Sequence, residues 1–292
     1  MTVGATRWVV TGAGGMLGQD VLARLASIGE TAVTGLRHAD LDITDQTAVK
    51  RVLQELRPSV VVNCAAYTKV DDAETHEEEA LAINGDGPRN LASVCADLDA
   101  RLVHVSTDYV FGGEATSPYD EDAEPAPRTA YGRTKLAGER AVLDLLPDRG
   151  CVVRTAWLYG AGGPNFVKTM IRLEREKETL DVVDDQRGQP SWTVDVAERL
   201  VALGAHPSAR GVFHATSAGE TTWFGLTREI FRLLGADPER VRPTTTEKFP
   251  RPAPRPAYSV LGHRRWAEVG IPPIRHWQEA LRAAFDSLTT PA

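Results

Sequence analysis

Tyr131 and Lys135 stand four positions apart in the run Tyr131-Gly132-Arg133-Thr134-Lys135. On a helix that spacing puts both side chains on one face, one turn apart. A phenol beside an ammonium is a proton donor. The positive charge favours phenolate and is expected to draw the tyrosine pKa down from about 10 toward neutrality. Such a group hands a proton to a carbonyl oxygen while hydride arrives at the carbon. Alone, the pair fits an ordinary surface helix just as well. Its company argues for chemistry: a glycine-rich turn near the N-terminus, and Ser106-Thr107-Asp108 upstream of the tyrosine.

The glycine turn has the context that a dinucleotide needs. Arg7-Trp8-Val9-Val10-Thr11 is short, apolar and β-branched, and reads as a strand. Gly12, Gly15 and Gly18 follow as Gly-x-x-Gly-x-x-Gly, and Gln19 to Ser27 is periodic like a helix. The first glycine permits the tight turn, the second admits a pyrophosphate and the third lets helix and strand pack closely. The helix N-terminus attracts the phosphates. Gly12, Gly15, Met16, Leu17 and Gly18 are the expected contacts. The second strand, Thr31 to Gly35, ends in Leu36-Arg37-His38, with no acid to hold ribose hydroxyls. Arg37 either meets a 2′-phosphate, which favours NADPH with NADH also accepted, or is a solvated loop charge. Asp42 and Ile43 are placed to flank an adenine, while Asp45 is a candidate helix cap.

The elements behind these residues alternate. Ser59 to Ala66 is a continuous apolar strand, with Ala65, Ala66 and Thr68 at the end where ligands of open α/β sheets bind. Asn84 is read as a helix cap, a kink or a water holder near the lysine. Arg101 to Thr107 is the next strand. His104 within it reads as a core residue, and the Thr107 hydroxyl is aimed at a substrate carbonyl. Cys151 to Thr155, Val182-Val183 and Gly211 to Ala215 read as further strands. The class is α/β, a doubly wound parallel sheet. Residues 1–158 and 182–216 are assigned to the sheet domain. Residues 159–181 and 217–292 are assigned to a smaller, discontinuous α/β substrate lobe. There Arg251 and Arg255, in a proline-rich stretch that must be extended, hold a diphosphate or are solvated.

Composition excludes other classes. A net charge of -7 over 292 residues argues against a nucleic-acid binder. Cys64, Cys95 and Cys151 are widely spaced in apolar runs, which suggests reduced thiols in a cytoplasmic protein and neither zinc nor disulfides. No run is long enough to span a bilayer, so no membrane partner is expected.

Gly12-x-x-Gly15-x-x-Gly18, Asn63-Cys64-Ala65-Ala66, Ser106-Thr107-Asp108-Tyr109-Val110-Phe111 and Tyr131-x-x-x-Lys135 occur in that order. Together they resemble an extended short-chain dehydrogenase/reductase with a Rossmann domain. Tyr131 to Glu139, Arg154-Thr-Ala-Trp157-Leu-Tyr-Gly160 and Asp185-Gln186-x-Gly188-x-Pro190 narrow this to the dTDP-4-dehydrorhamnose reductase family. Some of its relatives reduce other dTDP-4-keto-6-deoxy sugars, as on the dihydrostreptose route. The resemblance implies Tyr131 as proton donor, Lys135 as its partner on the nicotinamide ribose, and Thr107 on the substrate carbonyl. It also implies Asp108, Tyr109 and Trp157 beside the sugar nucleotide, with a buried aromatic as the equal alternative for Trp157, and it admits a homodimer. Ser191 stands where threonine is usual, and Gly112-Gly113 stand where a charge is common. No glutamate ligands for a bridging magnesium can be placed, so no metal is expected. Two other readings share much of the pattern. One is a nucleotide-sugar epimerase or dehydratase, although the acidic pair dehydratases need after the threonine is absent. The other is a non-catalytic regulatory subunit like that of methionine adenosyltransferase.

Overall fold

The computed structural model describes residues 6–30 and 32–290. Six strands form one parallel sheet: β1 (Trp8–Thr11), β2 (Val33–Leu36), β3 (Val60–Asn63), β4 (Arg101–Thr107), β5 (Gly150–Thr155) and β6 (Gly211–His214). Their spatial order is β6-β5-β4-β3-β1-β2, every pair parallel. The chain leaves β1 in one direction for β2, then returns past it to β3. The direction of winding therefore reverses at β1, which opens a crevice at the carboxyl ends of β1 and β3. The second strand starts later than expected, at Val33, and Thr31 lies outside the described residues.

Alternation along the strands explains the two covering layers. Trp8, Val10, Val60, Val62, Cys151 and Val153 face one side. There they pack on α1 (Met16–Ser27) and α7 (Thr193–Ala205) through Val21, Leu25, Val196 and Leu200. Val9, Val61, Leu102 and Val152 face the other. They meet α2 (Gln46–Leu56), α4 (Gly87–Asp97) and α5 (Ala130–Leu145) through Val49, Leu53, Leu91 and Val142. With both faces covered, each strand reads as unbroken apolar sequence. The three cysteines are free.

Before α4 the chain forms a short helix, α3 (Glu77–Leu81), and a π-turn over Ala82–Asp86. Asn84 sits in that turn, which is a common device at functional sites. Its amide accepts from Tyr67 N–H and donates to the Tyr67 carbonyl and the Thr134 hydroxyl. Of the roles expected for it, the kink is the one seen, and its side chain is a brace between the β3 loop and α5.

The remaining elements make a second core of Tyr159, Met170, Ile171, Leu226, Phe231, Trp277 and Leu281. Tyr159 lies in the short strand Leu158–Tyr159, and the others come from α6 (Phe166–Glu176), α8 (Trp223–Leu233) and α10 (Trp277–Thr289). A fourth short helix, α9 (Arg265–Glu268), packs under β6. One expectation is corrected here. Val182-Val183 does not extend the main sheet. Leu180–Val183 pairs in parallel with Val241–Thr244, and Val182 and Val241 are buried in this second core. A short apolar run does not itself say which sheet it joins.

Candidate active site

The glycine turn closes on itself as the spacing requires. Gly12 has φ +69°, and a Cβ there would lie 2.5 Å from the Ala65 nitrogen. A Cβ on Gly18 would lie 2.3 Å from the Gly12 carbonyl. Both glycines therefore serve close backbone approach. Gly15 differs. Its backbone is extended, φ -79° and ψ 164°, and an added Cβ would meet only the Gly12 carbonyl at 3.3 Å. It caps α1 with no side-chain hydrogen bond, which leaves the first N–H groups of the helix facing the crevice. This is a fit for a pyrophosphate. Met16 opens the helix, half-buried beside Gly160 and Gly162, whereas the Leu17 side chain is buried in the core. Only the Leu17 N–H is left to meet a ligand. Gly15→Val is therefore expected to fold and to weaken nucleotide binding by at least about tenfold, since the branched side chain fills the approach. Titrating the protein with NADPH by fluorescence checks it; unchanged affinity means the turn is only structural.

At the adenosine end the structure divides the expected residues. The stem of Arg37 lies against Gly14, whose Cβ would be 3.4 Å from Arg37 Cγ. Its guanidinium is 71% exposed and pairs with Asp40 at 3.3 Å, so it stands beside the turn with a carboxylate as competitor. Asp42 accepts from both the N–H and hydroxyl of Thr44, bonds that hold its carboxyl below the usual range. The Ile43 side chain is buried against Gly87 in the core, which leaves only its backbone to flank an adenine. The acid-apolar alternation there marks a turn and a core anchor. Asp45 caps α2 through Ala48 N–H at 3.0 Å. Ala65 and Ala66 are half-buried at the end of β3, and Thr68 is exposed beyond them.

The reacting groups converge where β4 meets α5. Thr129 caps α5 by accepting from Gly132 N–H, and a Cβ on Gly132 would strike the Tyr109 carbonyl. That contact seats the helix against the Ser106-Thr107-Asp108 turn. Tyr131 lies edge-on to Tyr109, with centroids 5.7 Å apart. Its hydroxyl is pushed up to about 12, chiefly by burial; the Thr107 hydroxyl opposes the rise and Asp108 adds to it. This overturns the expectation of a tyrosine drawn toward neutrality by Lys135. Lys135 is itself almost fully buried, and burial pulls its ammonium down to about 8. An amine that loses its charge this easily gives the phenol little help. The Lys135 Nζ donates to the Val105 carbonyl at 2.6 Å.

Thr107 donates to Asp108 Oδ1 at 3.0 Å and accepts from Tyr109 N–H at 3.2 Å. Asp108 is buried with Oδ2 unpartnered, and burial raises its carboxyl to about 6. Close behind this turn lies an ion pair that the motif reading did not single out. Arg154 binds Glu139 bidentately, at 2.7 Å for Nη2 and 3.0 Å for Nε, and Glu139 also accepts from Ser106 Oγ at 2.5 Å.

Trp157 has φ +47° and stacks flat on Trp223, with centroids 3.6 Å apart and planes within 9°. A Cβ on Gly188 would lie 2.6 Å from its indole. A left-handed backbone on a bulky residue persists only where its surroundings hold it. Sequence periodicity placed Trp223 in a core stripe; its stack on Trp157 joins two distant segments and leaves no local signal. Arg255 lines a cavity of about 140 Å³ with Tyr109, Arg128 and Pro256. In this structure its guanidinium serves Asp71 at 2.8 Å and the Ala253 carbonyl at 2.9 Å. Any diphosphate role has to share the guanidinium with Asp71, a partner that the sequence reading missed.

The sequence matches the family described as the RmlD substrate binding domain over residues 6–290. It is 57% identical to the dTDP-4-dehydrorhamnose reductase of Streptomyces griseus, over 97% of this chain and 94% of that one. The chain belongs to the dTDP-4-dehydrorhamnose reductase family. Another member, the dTDP-4-keto-6-deoxy-D-glucose reductase of Streptomyces niveus, is also 57% identical, over 97% of both chains. The dTDP-4-dehydrorhamnose reductase of Bacillus anthracis, solved in complex with NADP, superposes with a TM-score of 0.91. It is 40% identical, over 96% of this chain and 99% of that one. As a member of this reductase family the chain is an oxidoreductase. No helix among the described residues is long and apolar enough to cross a membrane.

Proposed function

We propose that the protein reduces the C4 keto group of a dTDP-4-keto-6-deoxy sugar, with dTDP-4-dehydrorhamnose as the first candidate. The observation that carries this is the convergence of Thr107, Tyr131 and Lys135 at the carboxyl edge of β4, across the crevice from the Gly12–Gly18 cradle. The residues fit NADPH, with Gly12, Gly15 and the first N–H groups of α1 on its phosphates, and the nucleotide supplies hydride. The remaining work falls to the chain. Thr107 exchanges its Asp108 partner for the substrate carbonyl and orients it. Tyr131, with a hydroxyl raised to about 12, keeps its proton at neutral pH and is loaded as donor. The alkoxide that forms at C4 is a far stronger base than the phenolate, so transfer runs downhill. Asp108, Tyr109 and Trp157 stand by the sugar nucleotide. The reductase reading is favoured over a dehydratase because Asp108-Tyr109 follows Thr107 in place of an acidic pair.

The test is to mix the protein with dTDP-4-dehydrorhamnose and NADPH or NADH, and to follow the loss of nicotinamide absorbance. Turnover is expected with both cofactors and better with NADPH. Arg37→Ala is expected to raise the NADPH KM roughly two- to fivefold, the modest effect of an exposed charge, and to leave the NADH KM nearly unchanged. Absence of turnover with this sugar and with its C4-keto analogues sinks the proposal. Equal effects of Arg37→Ala on both cofactors make Arg37 a loop charge.

A further inference from the structure

Lys135 meets His104 in the opposite sense to the usual meeting of a histidine with a cation. Asn63, at the end of β3, places Oδ1 between two donors, the Ala65 N–H at 3.1 Å and the Thr11 hydroxyl at 2.6 Å. A backbone N–H can only donate, so the oxygen end of that amide is fixed, and its NH₂ end points away. The NH₂ nitrogen lies 3.0 Å from His104 Nδ1. It offers hydrogens and no lone pair, so Nδ1 must accept. Neutral His104 therefore carries its proton on Nε2, and Nε2 lies 3.5 Å from Lys135 Nζ. An ammonium has three donors and no acceptor, and would face that N–H head-on. An amine meets it with a lone pair and still donates to the Val105 carbonyl.

His214 shows the contrast within the same protein. Its Nδ1 faces the Gly262 carbonyl at 3.0 Å and must donate. That leaves the Nε2 lone pair toward the Arg154 guanidinium at 3.5 Å. Both imidazoles are buried beside a basic side chain, and in each the group on the far side decides the tautomer.

We infer that Asn63 and His104 are positioning residues for Lys135, stabilising its amine form so that its ammonium gives up a proton readily in each turnover. The inference concerns the same site and rests, for its kinetic part, on the proposed reductase reading. Proton balance is simple. Tyr131 gives its proton to the substrate oxyanion. The phenolate recovers one from protonated Lys135, leaving an amine that accepts the His104 Nε2–H bond. Solvent then returns the proton to Lys135. The other groups around Lys135 do not cancel this. Glu139 on the same helix favours the ammonium but is held by Arg154. The Cys64 thiol is pushed up to about 12 by burial and is uncharged. Tyr131, also protonated, completes the set. Burial acts in the same direction as His104, pulling Lys135 down to about 8. The ammonium is lost above that value, so turnover falls as pH rises through it. Weakening the His104 contact moves the fall to higher pH.

Two measurements test this. The tautomers of ¹⁵N-histidine-labelled protein are read by long-range ¹H–¹⁵N correlation, with His104 assigned by its loss in His104→Asn or its shift in Asn63→Asp. Nε2–H at His104 and Nδ1–H at His214 are expected; Nδ1–H or imidazolium at His104 overturns the inference, whatever the enzyme's substrate. Then kcat is profiled against pH. His104→Asn keeps an acceptor for Asn63 and removes the N–H facing Lys135. Asn63→Asp forces the histidine proton onto Nδ1 and turns the Nε2 lone pair to Lys135. Both are expected to move the falling limb up by about one unit or more, a tenfold change in proton concentration. A lower rate at every pH with the limb unmoved in both variants makes the pair merely structural and overturns the inference.

Discussion

Tyr131→Phe is expected to lower kcat by roughly 10²–10⁴-fold while the protein stays folded. The ring survives, so its edge-on contact with Tyr109 and the seating of α5 on the Tyr109 carbonyl survive with it. What disappears is the phenol proton held beside Thr107. Because the Tyr131 hydroxyl is raised to about 12, wild-type donation should not fade at neutral pH through loss of that proton. A fall in turnover near pH 8 is expected from loss of the Lys135 ammonium. Single-turnover kinetics with saturating substrate and NADPH separates the chemical step from binding. A variant that keeps near-full activity removes Tyr131 from the mechanism, and one that loses cofactor affinity as well points to a collapsed helix.

The second large effect is on stability. Glu139→Ala is expected to cost about 3–5 kcal/mol, because it strands the Arg154 guanidinium in a site where that side chain is only 3% exposed. Arg154 is bound along its Nε–Nη2 edge by Glu139 and lies over the Phe111 ring at 4.9 Å, shut off from solvent. The Ser106 hydroxyl loses its acceptor as well, and Ser106 precedes the Thr107 turn. A drop in the urea midpoint with unchanged slope reads this directly. Replacing both partners, Glu139→Leu with Arg154→Leu, is expected to restore much of the loss, since it removes the charge instead of orphaning it. A single variant as stable as wild type would show that the pair contributes nothing.

The two predictions draw on different layers of information. The first was legible in the chain. A helix repeats every 3.6 residues, so Tyr131 and Lys135 had to share a face, and strand-turn-helix around Gly12, Gly15 and Gly18 follows from the same local rules. The parallel sheet was legible too, because strands buried on both faces carry unbroken runs such as Val60-Val61-Val62. The second was not. Glu139 and Arg154 lie on α5 and β5, and nothing local marks one carboxylate of a helix as the partner of an arginine in a strand.

What the sequence determined by itself was the set of elements, the side chains that share a face and the chemistry those side chains can perform. Short-range geometry decides such things, and every residue carries its own share of it. What only the tertiary structure decided was the environment of each group. Burial reversed the expected pKa of Tyr131 and brought Lys135 near neutrality. Core packing took the Ile43 side chain, Asp71 took Arg255, and Trp223 took one face of the Trp157 ring. The tautomer of His104 depends on an Asn63 amide held from its far side by Thr11 and Ala65. Desolvation, pairing and tautomer depend on neighbours brought in from elsewhere in the chain, 41 positions away for Asn63 and His104 and 184 for Asp71 and Arg255, and such separations have no local signature.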